Sequence, residues 1–245
     1  ESYQAYADYN DVARMVEELV TTVALDVLGT LVVPHGEQTI DLTPPWRRLT
    51  MRDALLQYAG LDFEQYREEG ALRAWMATRR LHAAPDLSWG KLIDEVFSAL
   101  VQPHLQQPVF VLDYPIELSP LAKRKLDAPD LVERFEAFVG GFEIANAYSE
   151  LNDPEDQRER FEQQVAARAR GDDEVELIDD DFLVALEHGM PPAGGLGIGV
   201  DRLAMILLDE PSIREVILFP QLRSLGQASS GTAGRGSSTT TADDG

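Results

Sequence analysis

The chain has 245 residues, 44% hydrophobic and 26% charged, which is enough for a sizeable core and ordinary for a soluble globular protein. Its lack of cysteine excludes disulfides, thiolate catalysis and cysteine-ligated zinc, and its formal net charge of -22 excludes a strong general grip on a phosphate backbone by this chain alone. No run of about 18 apolar residues and no charged-then-apolar leader occurs, so neither a membrane span nor a signal peptide is expected.

In chain order, ESYQAYADYND alternates aromatic with small or polar residues, as a strand entering a helix would. From Asn10, the residues Val12, Met15, Val16, Leu19, Val20, Val23 and Val27 recur at helical spacing up to Gly29, a C-terminal cap. TLVV and QTIDL flank PHGE as a hairpin. Thr50 with Asp53 resembles a capping box that opens a helix through Tyr58, and helical spacing continues to about Leu105. PVFVLD (108–113) reads as a short strand, and LVERFEAFVG and GFEIANAYSEL read as two strands joined at Gly140-Gly141. Residues 156–170 are helix-forming, 171–181 (GDDEVELIDDD) form an acidic solvated loop, and 184–188 end another helix. Residues 224–245 have almost no apolar side chains to offset their ordering entropy and are expected to be a disordered tail. The expected fold is α+β, an antiparallel sheet with helices packed around it.

The stretch GGLGIGVDR (194–202) looks like a nucleotide-binding turn, but no third glycine completes the dinucleotide pattern and no Gly-Lys-Ser/Thr occurs. What remains is a glycine-rich strand that a flat ligand can approach closely, with Arg202 at the mouth of a helix. In the hairpin, period-two alternation puts Asn146, Tyr148 and Glu150 on one strand face, where an amide, a phenol and a carboxylate suit a small polar cation. With a two-residue turn, Glu136 lies opposite Ala145 and Glu143 opposite Phe138, so two carboxylates share a face and suit Mg²⁺ beside phosphate. A solvent-facing acidic strand is the plain alternative for both groups. Ideal pairing sets the acidic pair and the Asn-Tyr-Glu row on opposite faces, so a single pocket needs a bulge or strong twist near Ala145. The four histidines, His35, His82, His104 and His188, are too dispersed for a short-spaced metal motif.

Four stretches, ESYQAYADYND, DYPIELSPLAKRK, ERFEAFVGGFEIANAYSELNDPEDQ and GMPPAGGLGIGVDRLAMILLDEPSIREVILFPQLR, resemble in this order the C-terminal part of the catalytic domain of class II lysyl-tRNA synthetases. The resemblance runs from residue 1 to about 223. The last stretch corresponds to the third motif shared among class II synthetases, and NAYSELND and SPLAK point to lysine. It implies a partial class II catalytic core over 1–223, incomplete at its N-terminus, and a lysine-tRNA ligase that uses ATP and Mg²⁺. Asn146, Tyr148 and Glu150 would form the lysine pocket, with Glu150 facing the ε-ammonium. Glu1 would meet the α-amino group and Tyr3 the side chain, while Gly197 lies against the substrate. Glu136 and Glu143 would hold magnesium on the ATP phosphates, and Arg202 would contact ATP near its γ-phosphate. Phe142 departs from the pattern, standing where many members carry a basic residue.

The resemblance further implies a cytoplasmic homodimer acting on tRNA(Lys). The second motif's phosphate-gripping arginine and glutamate, the first motif with the dimer surface, and the anticodon-reading barrel find no match in this chain. This polypeptide alone is therefore expected to be inactive or nearly so and to bind tRNA weakly. Two other readings use the same residues: a non-catalytic protein that senses lysine or binds a partner, and the synthetase-like end of a lipid-lysylating lysyl-phosphatidylglycerol synthase.

Overall fold

A computed structural model describes residues 1–168 and 178–220. The tail expected at 224–245 and most of the acidic stretch 171–181 lie outside those residues. Strand β1 (Ser2–Ala5) leads into helix α1 (Tyr9–Leu28). Asp8 caps that helix reciprocally, accepting from the N–H groups of Asn10 and Asp11 while its own N–H donates to the Asp11 carboxylate. Such a cap contributes about 1 kcal/mol. At the other end Gly29 takes φ 71°, the left-handed turn that favours glycine. The inward stripe of α1 is Val12, Ala13, Val16, Val20 and Ala24, whereas Val27 of the sequence pattern is exposed.

Strands β2 (Val32–His35) and β3 (Gln38–Asp41) form the expected hairpin. Strand β4 (Arg47–Thr50) runs into helix α2 (Met51–Ala54), which continues as a π turn over Leu55–Ala59. Only half of the capping box forms. The Thr50 hydroxyl accepts from the Asp53 N–H and donates to the Asp53 carboxylate, rather than that carboxylate reaching back to the Thr50 backbone. Helices α3 (Glu69–Thr78) and α4 (Trp89–Leu100) follow, then strands β5 (Val109–Pro115), β6 (Leu131–Val139) and β7 (Phe142–Ser149). Helices α5 (Pro154–Arg168) and α6 (Asp180–Glu187), strand β8 (Ala193–Ile198) and helix α7 (Val200–Leu208) complete the order.

The main sheet runs β1-β8-β7-β6-β5-β4. It is antiparallel as expected except at its edge, where β4 pairs parallel with β5. A parallel pair needs a crossover, and the α2–α4 segment supplies it. One sheet face buries Phe135, Ala137, Ile144 and Ala147 with the α1 stripe and Ile206 of α7. The other face buries Val111 and Phe138 with Met76, Leu92 and Phe97 of the crossover helices.

Gly140 and Gly141 turn β6 into β7 with φ 61° and 77°. A β-carbon on Gly140 would come 2.8 Å from His35 Nε2 and 2.9 Å from Ile206 Cδ1, so both the backbone and the hairpin above it require glycine. Gly140→Ala is expected to lower unfolding free energy by at least about 1 kcal/mol. Urea denaturation checks this, and an unchanged midpoint would mean that the turn relaxes freely.

Candidate functional site

The β6–β7 register decides which side chains meet. Next to the turn Phe138 lies opposite Glu143, but one step further Ala137 lies opposite Ala145, so Ile144 has no partner. Beyond this bulge Glu136 faces Asn146, correcting the ideal pairing with Ala145, and Arg134 faces Tyr148. Facing residues of a pair project to the same side of a sheet. The single extra residue therefore brings Glu136, Glu143, Asn146, Tyr148 and Glu150 onto one face, the outcome for which a bulge near Ala145 was required. The Ile144 carbonyl accepts the N–H of Gly199 at 2.8 Å, which seats the start of α7 against the bulge. One turn later Arg202 donates from Nη1 to the Glu143 carbonyl at 2.8 Å and to its carboxylate at 3.2 Å. Its side chain is half exposed and remains open to a further anionic partner.

A cavity of about 170 Å³ opens on this face between β7, β8 and β1. Glu1, Tyr3, Asn146, Tyr148, Glu150 and Gly197 all line it, joined by Gly195 and Leu196. Tyr3, Gly195 and Tyr148 form one row across three strands, and Gly197 with Asn146 the next. Tyr3 is 70% exposed on the outer strand, whereas Glu150 at the inner end is only 9% exposed. Glu150 Oε1 is buried without a hydrogen-bond partner, and burial pushes its carboxyl up to about 7. Tyr148 is pushed up to about 12 by burial and then by the nearby Glu150 carboxylate. The cavity thus ends in an acceptor that has given up water without gaining a donor, and a cation with N–H groups would satisfy it.

Arg134 was missing from the sequence reading. It donates from Nε to Asn146 Oδ1 at 3.0 Å, from Nη2 to Glu136 Oε1 at 2.6 Å, and from Nη1 to the Leu118 carbonyl and Ser119 Oγ, both at 2.8 Å. Its guanidinium lies 4.6 Å from the Tyr114 ring centroid, and the Tyr114 hydroxyl donates to Glu136 Oε2 at 2.8 Å. One partly buried cation therefore orients a cavity residue and an acidic residue together. Burial still raises the Glu136 carboxyl above its ordinary value, opposed chiefly by Arg134. Period-two spacing between Arg134 and Glu136 was the signal that could have found it.

The family described as "tRNA synthetases class II (D, K and N)" matches residues 1–223. The chain belongs to this family. It is 56% identical over 223 residues to a lysine-tRNA ligase of Moorella thermoacetica, covering 91% of this chain and 46% of that protein. Lysine-tRNA ligases of Dehalococcoides mccartyi and Thermosynechococcus vestitus are 53% and 55% identical, over 91% of this chain and 45% and 44% of their own lengths. The chain thus spans a little under half the length of these relatives.

In this class II chain the glycines of the third motif have unequal surroundings. A β-carbon at Gly194 would meet α1, 2.6 Å from Val12 Cγ2 and 3.1 Å from the Asp8 carbonyl oxygen. At Gly195 it would meet the Glu150 carboxylate, and at Gly197 only the Asn146 carbonyl oxygen at 3.7 Å. Phe142 packs edge-on against His35, 6.4 Å between ring centroids, so the apolar residue at this position has a place in the hairpin contact. Among the described residues no helix is long and apolar enough to cross a membrane.

Proposed function

We propose that this chain carries the amino-acid pocket and part of the ATP site of a lysine-tRNA ligase, a cytoplasmic enzyme of protein synthesis. The observation that carries the reading is the unpartnered, buried carboxylate of Glu150 at the end of a cavity walled by two phenols and an amide. Lysine fits that chemistry. Its ammonium pairs with Glu150, its methylenes lie along Tyr148 and Tyr3, and Glu1 at the mouth suits the α-amino group. The names of the relatives support the same substrate.

In the first step a lysine carboxylate oxygen attacks the α-phosphorus of ATP, forming lysyl-adenylate and releasing pyrophosphate. In the second, the terminal ribose hydroxyl of tRNA(Lys) attacks the lysyl carbonyl and AMP leaves. Neither step needs a protein nucleophile, only positioning and charge neutralisation. The chain's residues contribute by fixing the lysine carboxylate through the pocket and by offering Arg202 to the outer phosphates.

Glu136 and Glu143 fit a magnesium ion carried by ATP, because such an ion takes one or two carboxylates and completes its shell with phosphate and water. Among the described residues no cluster of three or more such ligands exists. When bound, the ion would neutralise phosphate charge. With Arg134 and Tyr114 on its two oxygens, Glu136 keeps one orientation for that task. Binding to tRNA and homodimer formation are assigned to the whole enzyme, since a chain of charge -22 has little to hold RNA with.

Lysine-dependent ATP/pyrophosphate exchange tests the reading. The protein in its natural form is expected to exchange with lysine and not with aspartate or asparagine. Exchange driven by aspartate or asparagine would overturn the lysine assignment. Lysine binding without exchange would favour the sensing role instead.

A further inference from the structure

The Glu150 carboxylate stands against the backbone of β8 in a space that a side chain would take. A β-carbon on Gly195 would lie 1.8 Å from Glu150 Oε1 and 3.0 Å from its Cδ. Such contacts are impossible, so either the carboxylate or the strand would have to move. The backbone itself gives no reason for glycine here. Gly195 is absent from the positive-φ residues and pairs regularly with Tyr3 on one side and Tyr148 on the other. Its neighbours in the motif do other work, since Gly194 makes room for α1 on the opposite face and a β-carbon at Gly197 would have ordinary van der Waals space.

Taking the cavity as a lysine site, we propose that Gly195 is the positioning residue for Glu150, and that its missing side chain makes the pocket select a cationic end group. With no β-carbon in the way, the carboxylate lies on the strand, where Oε1 loses water and finds no protein donor. In that place it attracts an ammonium strongly and rejects an aliphatic chain that ends in a neutral methyl, because only the former satisfies a desolvated acceptor. With a methyl at 195 the carboxylate swings toward the cavity mouth and regains water. Its attraction for a cation then falls with the higher local dielectric, and the space for the lysine end group shrinks.

The test measures lysine, norleucine and ATP binding by calorimetry, with melting temperature, in the protein in its natural form. Gly195→Ala is expected to raise the lysine Kd at least about tenfold and to narrow the preference for lysine over norleucine. ATP affinity and melting temperature should stay near those of the unaltered protein. Glu150→Asp alone should weaken lysine binding, because its carboxylate is drawn back from the cavity. In the Gly195→Ala background the same change should strengthen binding, because the shorter acid clears the new β-carbon.

That reversal of sign is the decisive readout, since a merely structural glycine would not produce it. Unchanged lysine affinity and selectivity in Gly195→Ala, with Glu150→Gln still weakening lysine, would overturn the positioning role and leave the lysine pocket standing. Equal losses of lysine and ATP binding with a lower melting temperature and no gain from the aspartate would overturn it in favour of a packing role. Indifference of lysine binding to Glu150→Gln would remove the lysine reading itself, and the proposal with it.

Discussion

Asp156→Ala is expected to lower the unfolding free energy by about 3 kcal/mol, with a fall in melting temperature of roughly 6–12 °C. The Asp156 carboxylate receives four hydrogen bonds from two guanidinium groups. Arg160 supplies two at 2.9 and 2.7 Å, and Arg124 two at 3.0 and 3.1 Å. The Arg160 side chain is 4% exposed, and its third nitrogen holds the Ala122 and Ser119 carbonyls at 2.6 and 3.2 Å. Deleting the carboxylate leaves a buried cation with neutral partners alone, which costs far more than loss of a surface pair. The damage would extend to the site, because Ala122 bridges to Glu150 and the Lys123 N–H donates to the Ser149 carbonyl. Hydrogen bonds from Arg160 hold the Asp156 acid well below the usual carboxylate range. A depressed folded-state value means that the stabilisation is fully present above the unfolded value near 3.8 and is lost as pH falls through the folded one. Urea denaturation of both proteins at pH 7 gives the difference. A loss below about 1 kcal/mol would show that water replaces the carboxylate and that the pair counts as a surface pair.

The parts of the fold that are local were legible in the sequence. Helix α1 shows its apolar spacing and its terminal Gly29, and the β6–β7 hairpin shows two glycines whose positive φ angles suit the tight turn. What escaped depends on distant pairing. Nothing near Arg47 signals that β4 joins β5 in parallel, since residues 51–108, helix and loop, lie between the two strands. Nor can residues 2–5 announce that they pair with 193–196. The bulge is the sharpest case. Alternation along β7 reads the same with or without one unpaired residue, yet Ile144 decides whether the acidic pair and the Asn-Tyr-Glu row share a face.

The site followed the same division. Asn146, Tyr148 and Glu150 were recoverable because a strand repeats every two residues. Arg134 shares that spacing with Glu136, but one arginine among carboxylates reads as a solvated ion pair until Tyr114, Leu118 and Ser119 close around it. The glycines of β8 pose a subtler problem. Their composition states that something approaches the strand closely, but the approaching groups are helix α1 at Gly194 and a carboxylate at Gly195, and only tertiary structure separates them.

Glu150→Gln is expected to raise the lysine Kd by about 10- to 150-fold at pH 8, equivalent to about 1.5–3 kcal/mol. The amide keeps the size of the side chain but loses the charge, and it presents a donor to an ammonium that can only donate. The pH dependence separates this cause from a loss of shape. In the empty pocket burial pushes the Glu150 acid up to about 7, so near pH 6 it mostly holds a proton and cannot pair with a cation. Tyr148 stays neutral throughout because its own value is pushed up to about 12. Lysine affinity should therefore rise as pH increases from about 6 to 8, with release of a proton on binding at the lower end. Above about pH 8 it should fall again as the ligand loses first the α-ammonium proton that Glu1 faces and then, near about 10.4, the ε-ammonium proton. The linked effect on folding has the opposite sign. A carboxyl raised above its ordinary 4.5 favours the folded state below that value and loses its contribution as pH climbs through about 7. Without lysine, Glu150→Gln should thus gain stability relative to the parent on passing from pH 5 to pH 8, even as it loses the ligand. Calorimetry at pH 6, 7 and 8 in buffers of different ionisation enthalpy, with melting curves at each pH, reads both effects. Equal lysine affinity of the two proteins at pH 8 would remove Glu150 from the role of counter-charge.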